Sequence, residues 1–305
     1  MDTMLPDLLL EHQRFASDKP RNAMTVDVEE YFQVAAFERQ VQRGDWEQFP
    51  ARVAGNTGRV LDLFSEHHVR ATFFVLGWVA ERHPELIRRM VRDGHEVASH
   101  GYDHTHATQL DREAFRQDVV RTKGILEDVT GRPVRGYRAP SYSIGEGNLW
   151  ALDVLHESGH AYSSSIYPIR HDLYGMPGAP RFAFRPHVDS ILELPVTTVE
   201  FAGRTLPAGG GGYFRLLPYS AYCWALRRVN SRDRQPGIFY FHPWEIDPDQ
   251  PRVSGLSRRS SLRHYVNLAR MAEKLRRLLR DFRWDRIDRT IAAEPAAVWA
   301  PAGAA

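Results

Sequence analysis

The chain has 305 residues, 43% of them hydrophobic, enough to bury a full core within one large domain. Forty basic against thirty-eight acidic side chains leave a formal net charge of +2. With no long run of Lys or Arg, nucleic acid is excluded as the expected partner. Cys223 is the single cysteine, which rules out an intrachain disulfide and a cysteine-based zinc cluster, so any metal must be held by His and carboxylates.

Residues 1–21 read as an N-terminal extension. Asp2, Asp7, Glu11 and Asp18 surround only a short Leu8–Leu10 run, which is wrong for a secretory leader. No uninterrupted apolar stretch reaches the roughly 18 residues of a membrane span. The expectation is a cytoplasmic protein without a transmembrane segment.

A βα rhythm then begins. Ala23–Val28 reads as a strand, Val53–His67 as an amphipathic helix, Ala71–Leu76 as a strand rich in Thr, Phe and Val, and Trp78–Asp93 as one helix stopped by Gly94. His95–Ser99 is strand-like. Asp111 is placed to cap a helix that runs to Thr130 and ends at Gly131, and Val134–Tyr137 leads into Arg138-Ala139-Pro140. Further on, Asn148–Glu157 is helical, Ala161–Ile166 extended, Ile191–Val196 a strand, Tyr219–Val229 a helix and Gly237–Phe241 a buried strand. A final helix turns Leu262, Val266, Met271, Leu275, Leu278 and Phe282 inward.

About seven strands alternating with helices predict an α/β fold, a parallel sheet or closed (β/α) barrel, over residues 22–285 as a single domain. Residues 286–305, Ala- and Pro-rich from Ala292 onward, read as a flexible tail. Pro168–Arg185 and Thr205–Tyr213 break the rhythm and are candidate substrate loops. Within the second, Gly209–Gly212 lacks the Gly-Lys-Ser/Thr ending of a phosphate loop and reads as a mobile segment.

The chemistry concentrates at strand ends. His100 and His104 follow the run ending at Ser99, and Asp27, Glu29 and Glu30 close the first strand. Two imidazoles and a carboxylate suit Zn²⁺ with a position left open for water. Arg138 and His242 occupy equivalent places after Val134–Tyr137 and Ile238–Phe241. Singly, Asp27 could cap a helix, Arg138 form a surface ion pair and His242 sit in the core. Together they mark the rim where active sites of βα barrels assemble. His68, His95 and His106 read as solvent-facing or structural, although His106 is near enough in sequence to replace His104 as a ligand.

A second His pair, His156-Glu157-Ser158-Gly159-His160, formally matches the His-Glu-x-x-His pattern of zinc proteases. That pattern needs one continuous helical face. Ser158-Gly159 is a stop signal after Leu149–Leu155, so His160 falls in the next loop and the protease reading fails.

Thr25-Val26-Asp27-Val28-Glu29, His100-Gly-Tyr-Asp-His104, Arg138-Ala-Pro140 and Phe241-His242, in this order and spacing, resemble the polysaccharide deacetylase family (NodB homology, carbohydrate esterase family 4). Tyr31-Phe32-Gln33, Ser164–Asp172 and Phe239–Pro248 further resemble a subgroup encoded with exosortase and exopolysaccharide loci. The resemblance covers residues 22–285. It implies a distorted (β/α) barrel that removes acetyl groups from N-acetylated sugars using a divalent metal, zinc being the expected ion.

By position it implies Asp27 as general base, His100 and His104 as ligands, Arg138 as the group orienting the base and His242 as general acid. The Ser141 backbone N–H is the implied oxyanion donor, acting with the metal. Tyr31, Phe32 and Trp244 are candidate platforms for sugar faces, with Pro140 beside them as a further substrate contact. Two departures stand out. The family's usual second aspartate is Val28 here, which shifts the carboxylate ligand to Glu29 with Glu30 as the other choice. Ser163 stands where an Asp often tunes the acid histidine. The function expected is deacetylation of an N-acetylhexosamine glycan or its lipid-linked precursor in exopolysaccharide production. The alternatives are a metal-independent hydrolase of a small cyclic amide and a silent glycan-binding protein on the same fold.

Overall fold

The computed structural model describes residues 20–171, 174–290 and 297–299. Twelve strands run in chain order: β1 Asn22–Val28, β2 Thr72–Val75, β3 Glu96–Ser99, β4 Gly136–Tyr137, β5 Tyr162–Ser163, β6 Phe184–Arg185, β7 Leu192–Glu193, β8 Thr198–Phe201, β9 Arg204–Pro207, β10 Ile238–Phe241, β11 Trp284–Asp285 and β12 Ala297–Val298. Seven form the continuous parallel sheet β10-β1-β2-β3-β4-β5-β7, as the sequence rhythm predicts. β11 adds parallel to β1, β6 antiparallel to β7, and β8–β9 is a separate hairpin. No strand pair joins β7 to β10 among the described residues. The intervening chain spans the gap instead, with Ala208 N donating to Thr197 O at 3.0 Å and Tyr240 N to Gly209 O at 2.7 Å. The barrel is accordingly distorted.

The pleat of β1 sorts its side chains. Met24, Val26 and Val28 join Phe73, Val75, Phe239 and Phe241 in the large core beneath the outer helices. Ala23 faces the barrel interior with Phe74, Ala98, Tyr162, Leu192 and Ile238, and Thr25, Asp27 and Glu29 follow on that same side toward the C-terminal rim. Ile287 closes the opposite end, its N–H donating to Thr72 Oγ1 at 2.9 Å.

The helix Arg112–Thr130 has the predicted ends: Asp111 accepts from Ala114 N at 2.8 Å, and Gly131 adopts φ 64°. Other boundaries differ. Trp78–Asp93 is two helices, Gly77–Arg82 and Pro84–Arg92, because Pro84 has no N–H to continue the first. The final helix is also two, Arg258–Tyr265 and Leu268–Asp281, broken where Asn267 takes φ 54°. Met271, Leu275 and Leu278 are buried as expected, but Leu262, on the other side of the break, is 64% exposed.

Part of the expected tail is structured. Ile287–Thr290 is a short helix, and β12 pairs with β6, Trp299 packing edge-on to Phe184 at 5.1 Å. The extension through residue 19 lies outside the described residues. No described helix is long and apolar enough to cross a membrane.

The protease-like pair does not converge. His156 and Glu157 are exposed at the end of helix Trp150–Glu157, Glu157 pairing with Arg112 and Arg116. His160 follows Gly159 (φ 77°) and is buried against Tyr137, where burial pushes its imidazole down to about 4. Protonation is thus easier in the unfolded chain, so His160 contributes stability above the ordinary histidine range and loses it as pH falls from about 6.5 toward 4. Replacing it with Gln, which does not titrate, should shrink the stability gap between wild type and variant by about 2 kcal/mol on going from pH 7.5 to pH 5. Denaturant unfolding at the two pH values measures this, and an unchanged gap would contradict the assignment.

Candidate active site

The histidine loop is built by backbone geometry. After β3, Gly101 (φ 75°) and His104 (φ 61°) both adopt left-handed backbone. At a non-glycine residue this costs about 1–3 kcal/mol and persists only where surrounding contacts impose it. Those contacts are the Gly77 and Trp78 amides, which donate to the Gly101 and Tyr102 carbonyls at 3.0 and 2.9 Å, and Asp118, which accepts from Tyr102 N at 3.2 Å.

The turn aims both imidazoles at the end of β1. One donor atom from each of Glu29, His100 and His104 lies within 4.8 Å of the others, and all three residues are buried. The His100 Nδ1–H donates to the Arg138 carbonyl at 2.8 Å, which fixes the tautomer and leaves Nε2 as a lone-pair donor. Glu29 Oε2 and His104 Nδ1 are buried without a hydrogen-bond partner among the described residues, and Oε2 stands 2.9 Å from His104 Nε2. A buried carboxylate and two imidazoles set this close together fit a divalent cation. Burial raises the Glu29 carboxyl, but His104, His242 and His100 outweigh it and hold it well below the usual range.

Glu30, the other carboxylate considered, is used elsewhere. It accepts from Arg52 N at 2.8 Å and Val53 N at 3.0 Å, covering the start of helix Val53–Glu66, whose N-cap residue Arg52 supplies no side-chain acceptor. His106 stands 3.5 Å from Glu38 and is not part of the triad.

Arg138 has no exposed surface. Its guanidinium lies 4.1 Å over Phe74 and donates to Asp27 Oδ1 at 2.7 Å, Thr25 Oγ1 at 2.8 Å, Ser164 O at 3.1 Å and Ser164 Oγ at 2.9 Å. Asp27 is buried and lies off the wall of the cavity that opens above the triad. That cavity, about 420 Å³, is walled by Tyr142, Tyr174, Tyr213 and Tyr240 as well as by the triad and His242. Ser141 is on the wall in left-handed backbone (φ 52°), followed by Tyr142 at φ 53°.

His242 faces the triad from β10, Nε2 3.5 Å from Glu29 Oε1. Its partner is Glu245, which the sequence reading missed. Glu245 Oε1 accepts from both His242 N and His242 Nδ1 at 3.0 Å, and Arg215 Nε donates to Glu245 Oε2 at 2.7 Å. Arg215 is itself fixed by the His264 and Val266 carbonyls at 2.8 and 2.7 Å. Burial lowers the His242 imidazole, but Glu29 and Glu245 outweigh it and raise it to about 9. Burial raises the Glu245 carboxyl, but Arg215 and His242 bring it down to about 2.

Ser163, at the position expected to bear on His242, instead donates to Ser165 Oγ at 2.8 Å. The signal for Glu245 was the glycine run. A Cβ at Gly209 would meet Val196 and the Ile238 carbonyl, one at Gly210 the Tyr240 ring, and one at Gly211 the Glu245 carboxylate. Gly209–Gly211 form a close-packed strap, whereas Gly212 has open space around it.

The proposed sugar platforms need correction. Tyr31 and Phe32 are fully buried among Phe37, Trp46 and Trp244. Trp244 does line the cavity, stacked with His242 at 5.0 Å and His264 at 4.1 Å, and donates Nε1–H to Glu29 Oε1 at 3.2 Å. Pro140 is buried and off the cavity wall.

A barrel rim carrying this constellation defines a class. Residues 46–161 match the family described as polysaccharide deacetylase, and residues 164–292 match a domain of unknown function, DUF3473. Among curated relatives, a chitooligosaccharide deacetylase of Rhizobium leguminosarum bv. trifolii is 35% identical over 141 residues, 45% of this chain and 57% of its own length. A peptidoglycan-N-acetylglucosamine deacetylase of Bacillus cereus is 33% identical over 98 residues, 32% of this chain and 36% of its own. The chain therefore spans only part of the length of these relatives. A crystal structure described as a polysaccharide deacetylase from Mycobacterium smegmatis shares the fold, with TM-score 0.56 and 22% identity over 91% of this chain and 85% of that one. The site crosses these boundaries: His100, His104 and Arg138 lie within the deacetylase match, Asp27 and Glu29 precede it, and Arg215, His242 and Glu245 fall in the second match.

Calorimetric titration with Zn²⁺ should give one tight site in the wild-type protein. His100→Ala and Glu29→Gln should each weaken it at least about a hundredfold, and His156→Ala should leave it unchanged. Loss of binding in the His156 variant alone would relocate the metal.

Proposed function

We propose that the protein is a metal-dependent hydrolase that removes N-acetyl groups from an N-acetylhexosamine-containing polysaccharide or its lipid-linked precursor. Its place would be in exopolysaccharide production, with the cytoplasm as the compartment. The single observation that carries this reading is the convergence of the Glu29–His100–His104 triad and the Glu245–His242 pair at one cavity, with the Arg138–Asp27 pair buried behind them and tied to His100 through the Arg138 carbonyl. The Glu29 carboxylate facing both His100 and His104 in one buried cluster favours it over a metal-free cyclic-amide hydrolase.

Glu29, His100 and His104 would hold the ion, whose chemistry when bound is Lewis-acid activation of water and of the acetyl carbonyl. Asp27, held by Arg138, takes the proton from the attacking water. The Ser141 N–H supplies a hydrogen bond to the developing oxyanion. His242 enters as the imidazolium and delivers its Nε2 proton to the departing amine nitrogen, while Glu245 at Nδ1 keeps the ring oriented through that transfer. The tyrosines of the wall present flat apolar faces and hydroxyls suited to a pyranose ring.

Incubation with chitooligosaccharides and Zn²⁺ or Co²⁺ should release acetate, and a chelator should stop it. Asp27→Asn should abolish turnover, by at least about a thousandfold, without loss of metal. Glu245→Gln should lower kcat about tenfold to a hundredfold with KM little changed, since it positions the acid and does not touch substrate. If no N-acetylated oligosaccharide or lipid-linked precursor yields acetate under these conditions, the proposal fails.

A further inference from the structure

The β8–β9 hairpin stands outside the barrel and its cavity. Its register places Val199 opposite Leu206 and Phe201 opposite Arg204, so these four side chains share one face. The inner end of that face is covered: Val199 packs with Ala208, Ala225 and Val229, two of them from helix Tyr219–Arg228 and the residue after it. The outer end is not. Phe201 is 53% exposed, Trp224 of the helix 43% and Leu206 38%, with Phe201 and Trp224 in edge-to-face contact at 5.3 Å.

Arginines surround this apolar strip. Arg204 is exposed on the hairpin and Arg228 lies 5.7 Å over the Trp224 ring, while Arg232 is exposed in the turn after the helix and Arg227, also exposed, lies 5.6 Å over the Phe282 ring. None of the four has a carboxylate within ion-pair distance among the described residues. The nearby acids, Glu200 and Asp233, face Arg181 instead, at 3.8 and 2.9 Å.

We propose that this patch docks the protein on an anionic lipid bilayer, the two aromatic rings and Leu206 entering the boundary between headgroups and acyl chains and the arginines meeting lipid phosphates. Charge decides against a second copy of the chain, because a two-fold contact through the patch would set these arginines against their own images. Ring geometry decides against single-stranded nucleic acid. Bases need open ring faces along a groove, whereas Phe201 and Trp224 meet at 88° and Arg228 lies over the Trp224 ring. The inference does not depend on what the cavity hydrolyses.

Co-sedimentation of the full chain with phosphatidylcholine vesicles containing about one-third phosphatidylglycerol tests it. The wild type should pellet with these vesicles and at least about tenfold more weakly with phosphatidylcholine alone. Phe201→Ser with Trp224→Ser should lower partitioning about tenfold, and Arg204→Glu with Arg232→Glu about thirtyfold, while both double variants keep the wild-type circular dichroism spectrum and cooperative thermal unfolding as proof of an intact fold. The proposal is overturned by a wild type that does not pellet, or by variants that pellet like the wild type. It is equally overturned if the aromatic variant instead abolishes a concentration-dependent dimer or the binding of a single-stranded oligonucleotide.

Discussion

Arg138 is a fully buried guanidinium whose donors tie three strand ends together: Thr25 and Asp27 from β1, Ser164 after β5, and its own β4. A charge so placed is tolerable only with complete pairing, and removing one partner of such a pair costs about 3–5 kcal/mol. The same residue's carbonyl accepts from His100, so the side chain that fixes Asp27 and the backbone that fixes a histidine tautomer belong to one position. Register across the rim is thereby set at a single point. The triad, the cavity floor and the orientation of Asp27 follow from it.

A second chain of charges enters from the opposite side. Arg215, Glu245 and His242 alternate in sign and end 3.5 Å from Glu29, with the glycine strap giving Glu245 room. Arg215 also gathers three carbonyls of residues 263–266, so the segment beyond β10 is fastened to the site by the same guanidinium that holds Glu245. The part of the chain matching a domain of unknown function therefore supplies Arg215, His242 and Glu245 to the site's charge network. It is not an appendage.

Much of this was legible in the sequence. Positions at the ends of β1, β3, β4 and β10 picked out Asp27, Glu29, His100, His104, Arg138 and His242, because a parallel barrel places all such ends on one rim. What escaped were contacts with no local signature. Glu245 meets Arg215 across thirty positions, and the sequence shows only a Gly run whose need for space is invisible until its neighbours are known. The choice between Glu29 and Glu30 was open for a similar reason: helix Val53–Glu66 begins without a capping side chain, and the missing acceptor comes from Glu30. Tyr31, Phe32 and Trp244 looked like sugar platforms because aromatic residues near a rim read alike whether buried or open. Burial takes Tyr31 and Phe32 away from the cavity, and Trp244 alone of the three lines it.

The account rests on where a cation is held. Anomalous diffraction from crystals grown with Zn²⁺ should show one peak bounded by Glu29, His100 and His104 at about 2.0–2.2 Å from their donor atoms, with Glu30 still on the Arg52 and Val53 amides. A peak between His156 and His160, one that recruits Glu30, or no peak under conditions that support activity would contradict it.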